Sequence, residues 1–449
     1  MSRKMRKQIF KFQPFSRKQR MVLNWWTKSS PVKDMDGIIA DGAIRSGKTV
    51  SMSLSFVFWA MSSFNGQNFI MAGKTISSFQ RNVLTNLKMM LRSRGYHCIH
   101  HLSGETPNML EVTKGKVTNY FHIFGGKDEG SQELVQGITA AGAFFDEVAL
   151  MPESFVNQAT GRCSITGSKF WFNCNPAGPM HWFKTGWINK CVGYLGRKKA
   201  EELRAANKEV KNILYLHFTM DDNLSLDEAI KKRYRSLYAG VFFLRYIKGL
   251  WAVAEGLIYT MFTKSVNIYD DETRPKGLEY LSTRTISLDY GTTNPCVFLD
   301  IYDDGDTIWV DREYRWDSRV EKEGQKTDSQ YGDDMVSFMG DNPDLQCEIV
   351  ADPSAASFIV ELKGRGYIVK PGDNEVEDGI RVVAALFQSG KIKVHKRCEG
   401  LITEIRSYVW DDKAAQHGDE KPVKQLDHGP DALRYFCMTK LPKWRRNVQ

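Results

Sequence analysis

Long apolar runs are missing from this 449-residue chain. The longest, such as LSFVFWAM from Leu54, fall far short of the ~20 residues a membrane-spanning helix needs. Phe10 to Arg20 is broken by charges where a cleavable signal would carry its apolar core, so none is expected. Paired cysteines are missing too. The eight are scattered (Cys98, Cys163, Cys174, Cys191, Cys296, Cys347, Cys398, Cys437) and none shows CxxC spacing. That argues against zinc ribbons and dithiol redox motifs and fits a reducing cytoplasm. There is no internal repeat and no long low-complexity tract, so disorder, collagen and coiled-coil arrays fit poorly. What remains, 42% hydrophobic and 26% charged, is the composition of a soluble globular protein. At ~150 residues each, two or three domains are expected.

Negative charge is scarce in the first part of the chain. Residues 1–250 hold 36 Lys and Arg against 18 Asp and Glu, and the first twenty hold eight basic side chains and no acid. Residues 251–449 reverse the balance, with 26 against 35. A basic half joined to an acidic half suggests two jobs. The basic part could hold a polyanion such as DNA through phosphate contacts; a generically basic domain with a basic tail reads the same way.

From Met35 to Phe218, β-rich runs (GIIADG, NFIMAGK, KVTNYFHIF, AGAFFDE, SKFWFNCN, ILYLHF) alternate with helix-like runs, the clearest being Ser77 to Arg94. That order predicts an α/β domain with a mostly parallel sheet. After Tyr280, TISLDYG, CVFLDIYDD and TIWVDREY follow in quick succession, with Asp304-Gly305 as a hairpin turn. A helix to Met339, CEIVAD, a helix, YIVK, a helix, KIKV and a last helix from about Asp431 complete the order of an RNase H-like fold. The expected organisation is a basic N-terminal segment (1–34), a first α/β domain (35–223), a helical connector (224–255) and a second domain (256–449).

Gly42-Ala-Ile-Arg-Ser-Gly47-Lys48-Thr49 fits GxxxxGK[ST] between a strand and a helix, the context that confirms a phosphate-binding loop. Backbone N–H groups and the helix N-terminus would wrap the phosphates. Lys48 would reach the β- and γ-phosphates and Thr49 would hold Mg²⁺. AGAFFDE supplies the acidic strand end, with Asp146 on the metal and Glu147 as base for the attacking water. In Asn173-Cys174-Asn175-Pro176, polar residues could sense the γ-phosphate, though Asn-Pro also favours a plain turn. Near the N-terminus, Gln19 rather than Gln13 could read adenine through its amide. For a transition-state arginine, Arg45 in the loop and Arg81 after the second strand both stay open, each with a reading as a solvated cation. The nucleotide site is therefore assigned to Gly42, Arg45, Ser46, Gly47, Lys48, Thr49, Asp146, Asn175 and Gln19.

Three acids in the second half invite a metal site. Asp289 lies on the first strand, Asp352 ends CEIVAD, and Asp431 sits in the first turn of the last helix, with Pro430 suited to the first helical position. Singly, each has a plain reading as a cap or a helix-dipole partner. Together they would hold two Mg²⁺ or Mn²⁺ ions for phosphodiester cleavage. His428 could ligate or shuttle a proton, and Asp427 reads as a cap.

GAIRSGKT, AGAFFDE, NCNP, IKGLWAVAEGLIY (Ile247 to Tyr259), SLDYG, VADPSA and DHGPDALRYF together resemble the large subunit of tailed-bacteriophage terminases over nearly the whole chain. The resemblance implies an ASCE-type P-loop ATPase followed by an RNase H-like nuclease. It implies that Lys48 and Thr49 bind ATP and Mg²⁺, that Asp146 completes that metal site and that Glu147 is the catalytic base. Asn175 falls in the coupling motif, and Asp289, Asp352 and Asp431 match the nuclease metal ligands, with His428 beside them. It further implies ATP-driven translocation of double-stranded DNA into a procapsid and cutting of concatemers at initiation and termination. Partners would be the portal protein, the terminase small subunit and further copies in a ring, with pentamer and solution monomer both open. The setting would be the host cytoplasm, docked transiently on the procapsid and absent from the mature virion. Two departures stand out: Gln136-Gly137 replaces a basic residue common in relatives, and Gly429-Pro430 stands where Ala-Met is frequent. The rival reading is a helicase or translocase with a non-catalytic second half; a DNA-scaffolding protein with a vestigial nucleotide site is the other.

Overall fold

Eight short β-runs and the helices between them build the first part of the chain. The computed structural model describes residues 12–103, 107–291, 294–321, 324–340, 347–416 and 419–440. The chain divides into two units. The first runs to Lys231 and takes in Leu244–Val253; the second takes Lys232–Phe243 and resumes at Ala254. The stretch 224–255 is thus shared between them. It is not one helix: Glu228–Leu237 is followed by the short Gly240–Phe242 and a π-helical turn, Phe243–Ile247.

The first unit's strands are β1 (Gly37–Gly42), β2 (Asn68–Gly73), β3 (His97–His101), β4 (Met109–Lys114), β5 (Val117–Gly125), β6 (Gly142–Phe145), β7 (Lys169–Asn173) and β8 (Ile213–Phe218). They form one sheet in the order β3-β4-β5-β2-β6-β7-β1-β8. From β5 to β8 every pairing is parallel; β3 and β4 add an antiparallel edge. The sequence pattern does not announce that edge pair. Its outward positions are His97, Ile99 and His101, and Cys98 is the one buried β3 side chain, so the apolar alternation that marks a strand is faint. The strand that leads into Asp146 is separated from the loop strand β1 by β7, the order of an ASCE-type P-loop NTPase.

Two helices position the loop: α1 (Arg17–Asn24) and α2 (Lys48–Ser63). α2 is buried along most of its length against Phe69, Phe121, Phe144 and Trp171, as a helix apolar on several faces must be. Its serines would be costly there without partners. Ser55 donates to the Val22 carbonyl at 2.5 Å and accepts from the Trp26 and Trp171 indoles at 3.1 Å each. This one hydroxyl therefore ties α1 to α2 and to the sheet.

The second unit holds β9 (Ile268–Tyr269), β10 (Thr283–Asp289), β11 (Cys296–Asp303), β12 (Ile308–Trp316), β13 (Glu348–Ala351), β14 (Ile368–Pro371) and β15 (Ile392–His395). The order is β14-β13-β10-β11-β12-β15-β9. β10, β11 and β12 are an antiparallel meander, and β13 and β14 run parallel to β10. This is the RNase H-like arrangement, extended at β12 by β15 and β9. The chain is thus an α/β protein with a P-loop NTPase unit followed by an RNase H-like unit. The helices α3 (Asp328–Met339), α4 (Ala356–Gly364), α5 (Val376–Gln388), α6 (Glu399–Ser407) and α7 (His428–Lys440) accompany the sheet. Neither α6 nor the two-residue β9 is among the elements the sequence pattern predicts. α7 begins three residues before the expected Asp431, so Pro430 is its third residue and not its first.

Asp300 shows how the meander is locked. It is fully buried on β11 and accepts two bonds from Arg284, at 2.8 and 3.0 Å, and two from Arg312, at 3.0 and 2.6 Å. Removing one partner of a buried pair leaves an uncompensated charge. Asp300→Ala is expected to cost about 3–5 kcal/mol, read as a lower urea midpoint for this unit. A loss under ~1 kcal/mol, the range of exposed pairs, would show that the pairs add nothing beyond surface ion pairing.

Candidate functional site

β1 ends at Gly42, a position where a side chain cannot fit. Its φ is +122°, and a Cβ would lie 2.0 Å from the Phe218 carbonyl oxygen. The loop then turns through Arg45, φ 56°, and Gly47, φ 81°, into α2. A left-handed non-glycine is uncommon. Arg45 is held by its own carbonyl, which accepts from the Asn223 amide at 2.7 Å. Its side chain is exposed, as is that of Arg81 on the π-helical turn Gln80–Leu84.

Lys48 is buried, and its ammonium donates to the carbonyls of Gly42 (3.0 Å) and Ala43 (2.6 Å), to Ser46 Oγ (3.2 Å) and to Asn175 Oδ1 (3.2 Å). Burial pulls its pKa down to about 8, against the opposing charges of Asp41, Asp146 and Glu147. Thr49 Oγ1 donates to Asp146 Oδ1 at 2.9 Å. Burial raises the Asp146 carboxyl, while its bonds from Asn173 and Thr49 and the charge of Lys48 oppose that. A hydroxyl and a carboxylate meeting at the start of α2 are oxygen donors that suit Mg²⁺.

Asn173, named in the sequence motif but not assigned to the nucleotide site, contacts the acidic strand. Its amide nitrogen donates to Asp146 Oδ1 at 2.7 Å, and its Oδ1 accepts from the Glu147 backbone N–H at 3.0 Å. Glu147 itself has φ 60°, a strained conformation for a residue with a side chain. The available signal was an Asn at the end of the strand between the loop strand and the acidic strand.

Gln19 lies beside the loop. Its Nε2 is 2.3 Å from where a Cβ on Gly47 would be, while its Oε1 accepts from the Ser16 N–H at 2.9 Å. Gln13 is exposed. Asp41, also not assigned to the site, is fully buried on β1. It pairs with His217 Nδ1 at 3.0 Å and accepts from the Trp251 indole at 2.7 Å. The Tyr246 carbonyl accepts from the Ile44 N–H at 2.9 Å. The returning segment Leu244–Val253 therefore sits on the phosphate loop.

In the second unit, Asp289 ends β10. Asp352 follows β13, and its N–H reaches the Leu288 carbonyl at 3.3 Å. Its carboxylate accepts from Ser354 N–H (2.9 Å) and Oγ (2.7 Å). Asp431, in the first turn of α7, pairs with Arg434 at 3.0 Å and accepts from Tyr408 at 3.5 Å. His428 Nδ1 meets Asp289 Oδ2 at 2.8 Å. Burial, with the charges of Asp431 and Asp352, pushes the Asp289 carboxyl up to about 6, against His428. Burial opposes charge on His428, but the Asp289 bond and the charges of Asp289, Asp427 and Glu404 carry its pKa above the usual value. The start of α7 is fixed by Glu404, which accepts the Gly429 N–H at 2.6 Å and pairs with Arg315 at 2.8 Å. Carboxylate oxygens are the donors hard divalent cations take. Yet among the described residues no three His, Cys, Asp or Glu side chains stand close enough to grip one ion. Asp289 is instead paired by His428, and Asp431 by Arg434 and Lys424.

Residues 39–264 match the family model "Terminase large subunit, T4likevirus-type, N-terminal". The chain belongs to the terminase large subunit family. The large terminase of a thermophilic bacteriophage is 50% identical, with a TM-score of 0.86, over 96% of this chain and 99% of that one. The same phage protein in complex with ADP matches at 49% identity and TM-score 0.84, over 95% of this chain and all of that one. Its ATP-gamma-S complex matches at 48% and 0.83, with 95% and 100% covered. The large terminase subunit of Escherichia phage T5 is 28% identical over 239 residues, 50% of this chain and 51% of that protein. The match thus spans about half the length of that curated relative. In this terminase, no helix among the described residues is long and apolar enough to cross a membrane.

Proposed function

We propose that the chain is the motor subunit of a phage DNA-packaging machine, hydrolysing ATP to drive double-stranded DNA into a procapsid, and that its second unit is a metal-dependent endonuclease that cuts concatemers at the start and end of packaging. The observation that carries the reading is the bonded chain Lys48–Asn175 and Thr49–Asp146–Asn173–Glu147. The second series joins the hydroxyl and carboxylate that would hold Mg²⁺ to the backbone of the residue suited to take a proton from water. The ADP and ATP-gamma-S complexes of the thermophilic phage relative support it.

In this mechanism the Lys48 ammonium trades the Gly42 and Ala43 carbonyls for phosphate oxygens. Gln19 takes the adenine edge, and the loop N–H groups of Gly42 to Thr49, Arg45 and Ser46 included, enclose the phosphates. Glu147 orients and deprotonates the attacking water. Asn175, bonded to Lys48, registers the loss of the γ-phosphate. Mg²⁺, when bound, supplies charge neutralisation at the phosphates, and Thr49 and Asp146 would hold it. In the second unit, Asp289, Asp352 and Asp431 would hold two Mg²⁺ or Mn²⁺ ions, which supply a more acidic water and stabilise a leaving oxygen. His428 holds or moves a proton at the nitrogen facing Asp289. The portal, the small subunit and further copies of the chain are the expected partners, in the host cytoplasm at the procapsid.

A second reading, a translocase with a structural second unit, is favoured by the absence of a ready three-acid grip among the described residues. The full-length chain decides between them. Double-stranded DNA should stimulate ATP turnover, and supercoiled plasmid should be cut with Mn²⁺ and spared in excess chelator. Turnover without cutting would favour the translocase; neither activity would overturn both.

A further inference from the structure

A cavity of about 430 Å³ opens in the second unit, at the end of β10 remote from Asp289. Arg284, the second residue of β10, lines it; Asp289 closes that strand ~16 Å away, at ~3.3 Å per residue. The volume falls in the ~300–1,000 Å³ range of small-molecule sites. Three more arginines line it: Arg312 on β12, Arg397 just after β15 and Arg274 in the loop after β9. Arg284 and Arg312 hold Asp300 through Nε and Nη2. Arg274 holds Asp311 and Glu279 through the same two nitrogens, and Arg397 holds Asp271 through Nη2. Four acids thus balance four arginines, and the cavity is no bare positive patch. What it has in surplus is hydrogen-bond donors. Among the described residues, none of the four Nη1 atoms has an acceptor. Neither has the hydroxyl of Tyr302, which stands opposite Arg284 on β11, lines the same cavity and is only 3% exposed.

We propose that this cavity binds the phosphate group of a small ligand, with Tyr302 and Arg284 at its floor and Arg312 and Arg397 at its rim. The exposures give that order: the side chains are 4% exposed at Arg284, 36% at Arg312 and 42% at Arg397. A nearly buried hydroxyl without a partner is costly, and a bound acceptor removes that cost. Burial, with the charges of Asp300 and Asp311, pushes Tyr302 up to about 12, against Arg284 and Arg312. Its hydroxyl is therefore a donor at neutral pH. Guanidinium groups are the side chains that suit phosphate oxygens best. A carboxylate has two oxygens for these donors, whereas a phosphate has three or four. The carboxylates already present do not compete for Nη1, because Nε and Nη2 engage them. A phosphate in a duplex backbone is held too rigidly to descend to Tyr302, so the ligand is small. None of these residues belongs to the nucleotide site or lies beside Asp289, and the site stands whether or not the second unit is a nuclease.

The test is phosphate binding by the full-length chain. Inorganic phosphate, thymidine monophosphate and acetate are titrated by calorimetry in a buffer free of other oxyanions, into the wild type, Tyr302→Phe, Arg397→Gln and Lys48→Ala. Tyr302→Phe removes one hydroxyl that no described residue uses, so its melting point without ligand should equal or exceed that of the wild type. It should nevertheless weaken phosphate binding roughly tenfold or more, the usual effect of losing a hydrogen bond to a charged group. Arg397→Gln, at the exposed rim, should weaken it in the same direction. Lys48→Ala should leave it unchanged, because that lysine belongs to the phosphate loop of the first unit. Thymidine monophosphate binding as well as phosphate, or better, would assign the cavity to a phosphomonoester; phosphate alone would assign it to the free ion. Phosphate binding that Tyr302→Phe and Arg397→Gln leave intact, or that Lys48→Ala abolishes, would overturn the proposal. So would acetate binding as tightly as phosphate, no phosphate binding in any form, or displacement of phosphate by a duplex without terminal phosphates.

Discussion

Glu147→Ala is expected to lower DNA-stimulated ATP turnover by about 10²–10⁴-fold, the usual contribution of a positioned general base. ATP binding should survive. Lys48, Thr49 and Asp146 keep their own contacts when the Glu147 side chain is removed, since the bond between Glu147 and Asn173 runs through the backbone N–H. The fold should survive as well. The left-handed φ of 60° persists in alanine, and Asn173 continues to hold the peptide. Turnover from phosphate release, nucleotide affinity from fluorescent-analogue displacement and a thermal melt together check this. Turnover within tenfold of wild type would remove Glu147 from its role as base. Unchanged turnover per bound ATP with weakened affinity would instead make it a binding residue.

Asn173 and Asp41 show why part of the nucleotide site could not be read from the sequence. The phosphate loop was legible because its chemistry is local: the glycines, Lys48 and Thr49 act within eight consecutive residues, and the flanking strand and helix have clear periods. The acidic strand was legible for the same reason. Asn173 gains its meaning only from β7 lying between β1 and β6, which sets it against Asp146 across 27 residues of sequence. Asp41 was hidden because its partners, His217 and Trp251, come from 176 and 210 residues away. The fold behaved likewise. Strands with a continuous apolar run stood out, whereas the half-exposed edge β3–β4 and the two-residue β9 did not. The start of α7 moved because Glu404, on a helix that was itself unexpected, takes the Gly429 N–H and lets the helix begin at His428. Pro430 is tolerated within that first turn because its missing N–H is one the helix leaves unpaired anyway.

Asp289→Asn separates the two halves of the proposal. The amide keeps the size of the carboxyl and can still accept from a neutral His428 ring, so β10 and α7 stay in register. What it removes is the negative charge that a divalent cation needs and that His428 responds to. Electrostatic stabilisation by such ions is worth several kcal/mol, and each ~1.36 kcal/mol is tenfold in rate. Plasmid cutting is therefore expected to fall by about 10³-fold or more. ATP turnover should be untouched, because every group assigned to the nucleotide belongs to the first unit. Asp352→Ala should follow the same pattern, with the added loss of a turn whose Ser354 contacts are exposed and cheap to lose. A translocase with a structural second unit predicts the opposite, no change in any activity on DNA for either variant. Gel assays of nicking beside phosphate release on the same preparations distinguish the two. Cutting that persists in both variants would mean that any nuclease of the chain lies elsewhere. Loss of cutting with full ATP turnover would assign the hydrolysis of DNA to the acids at the ends of β10 and β13.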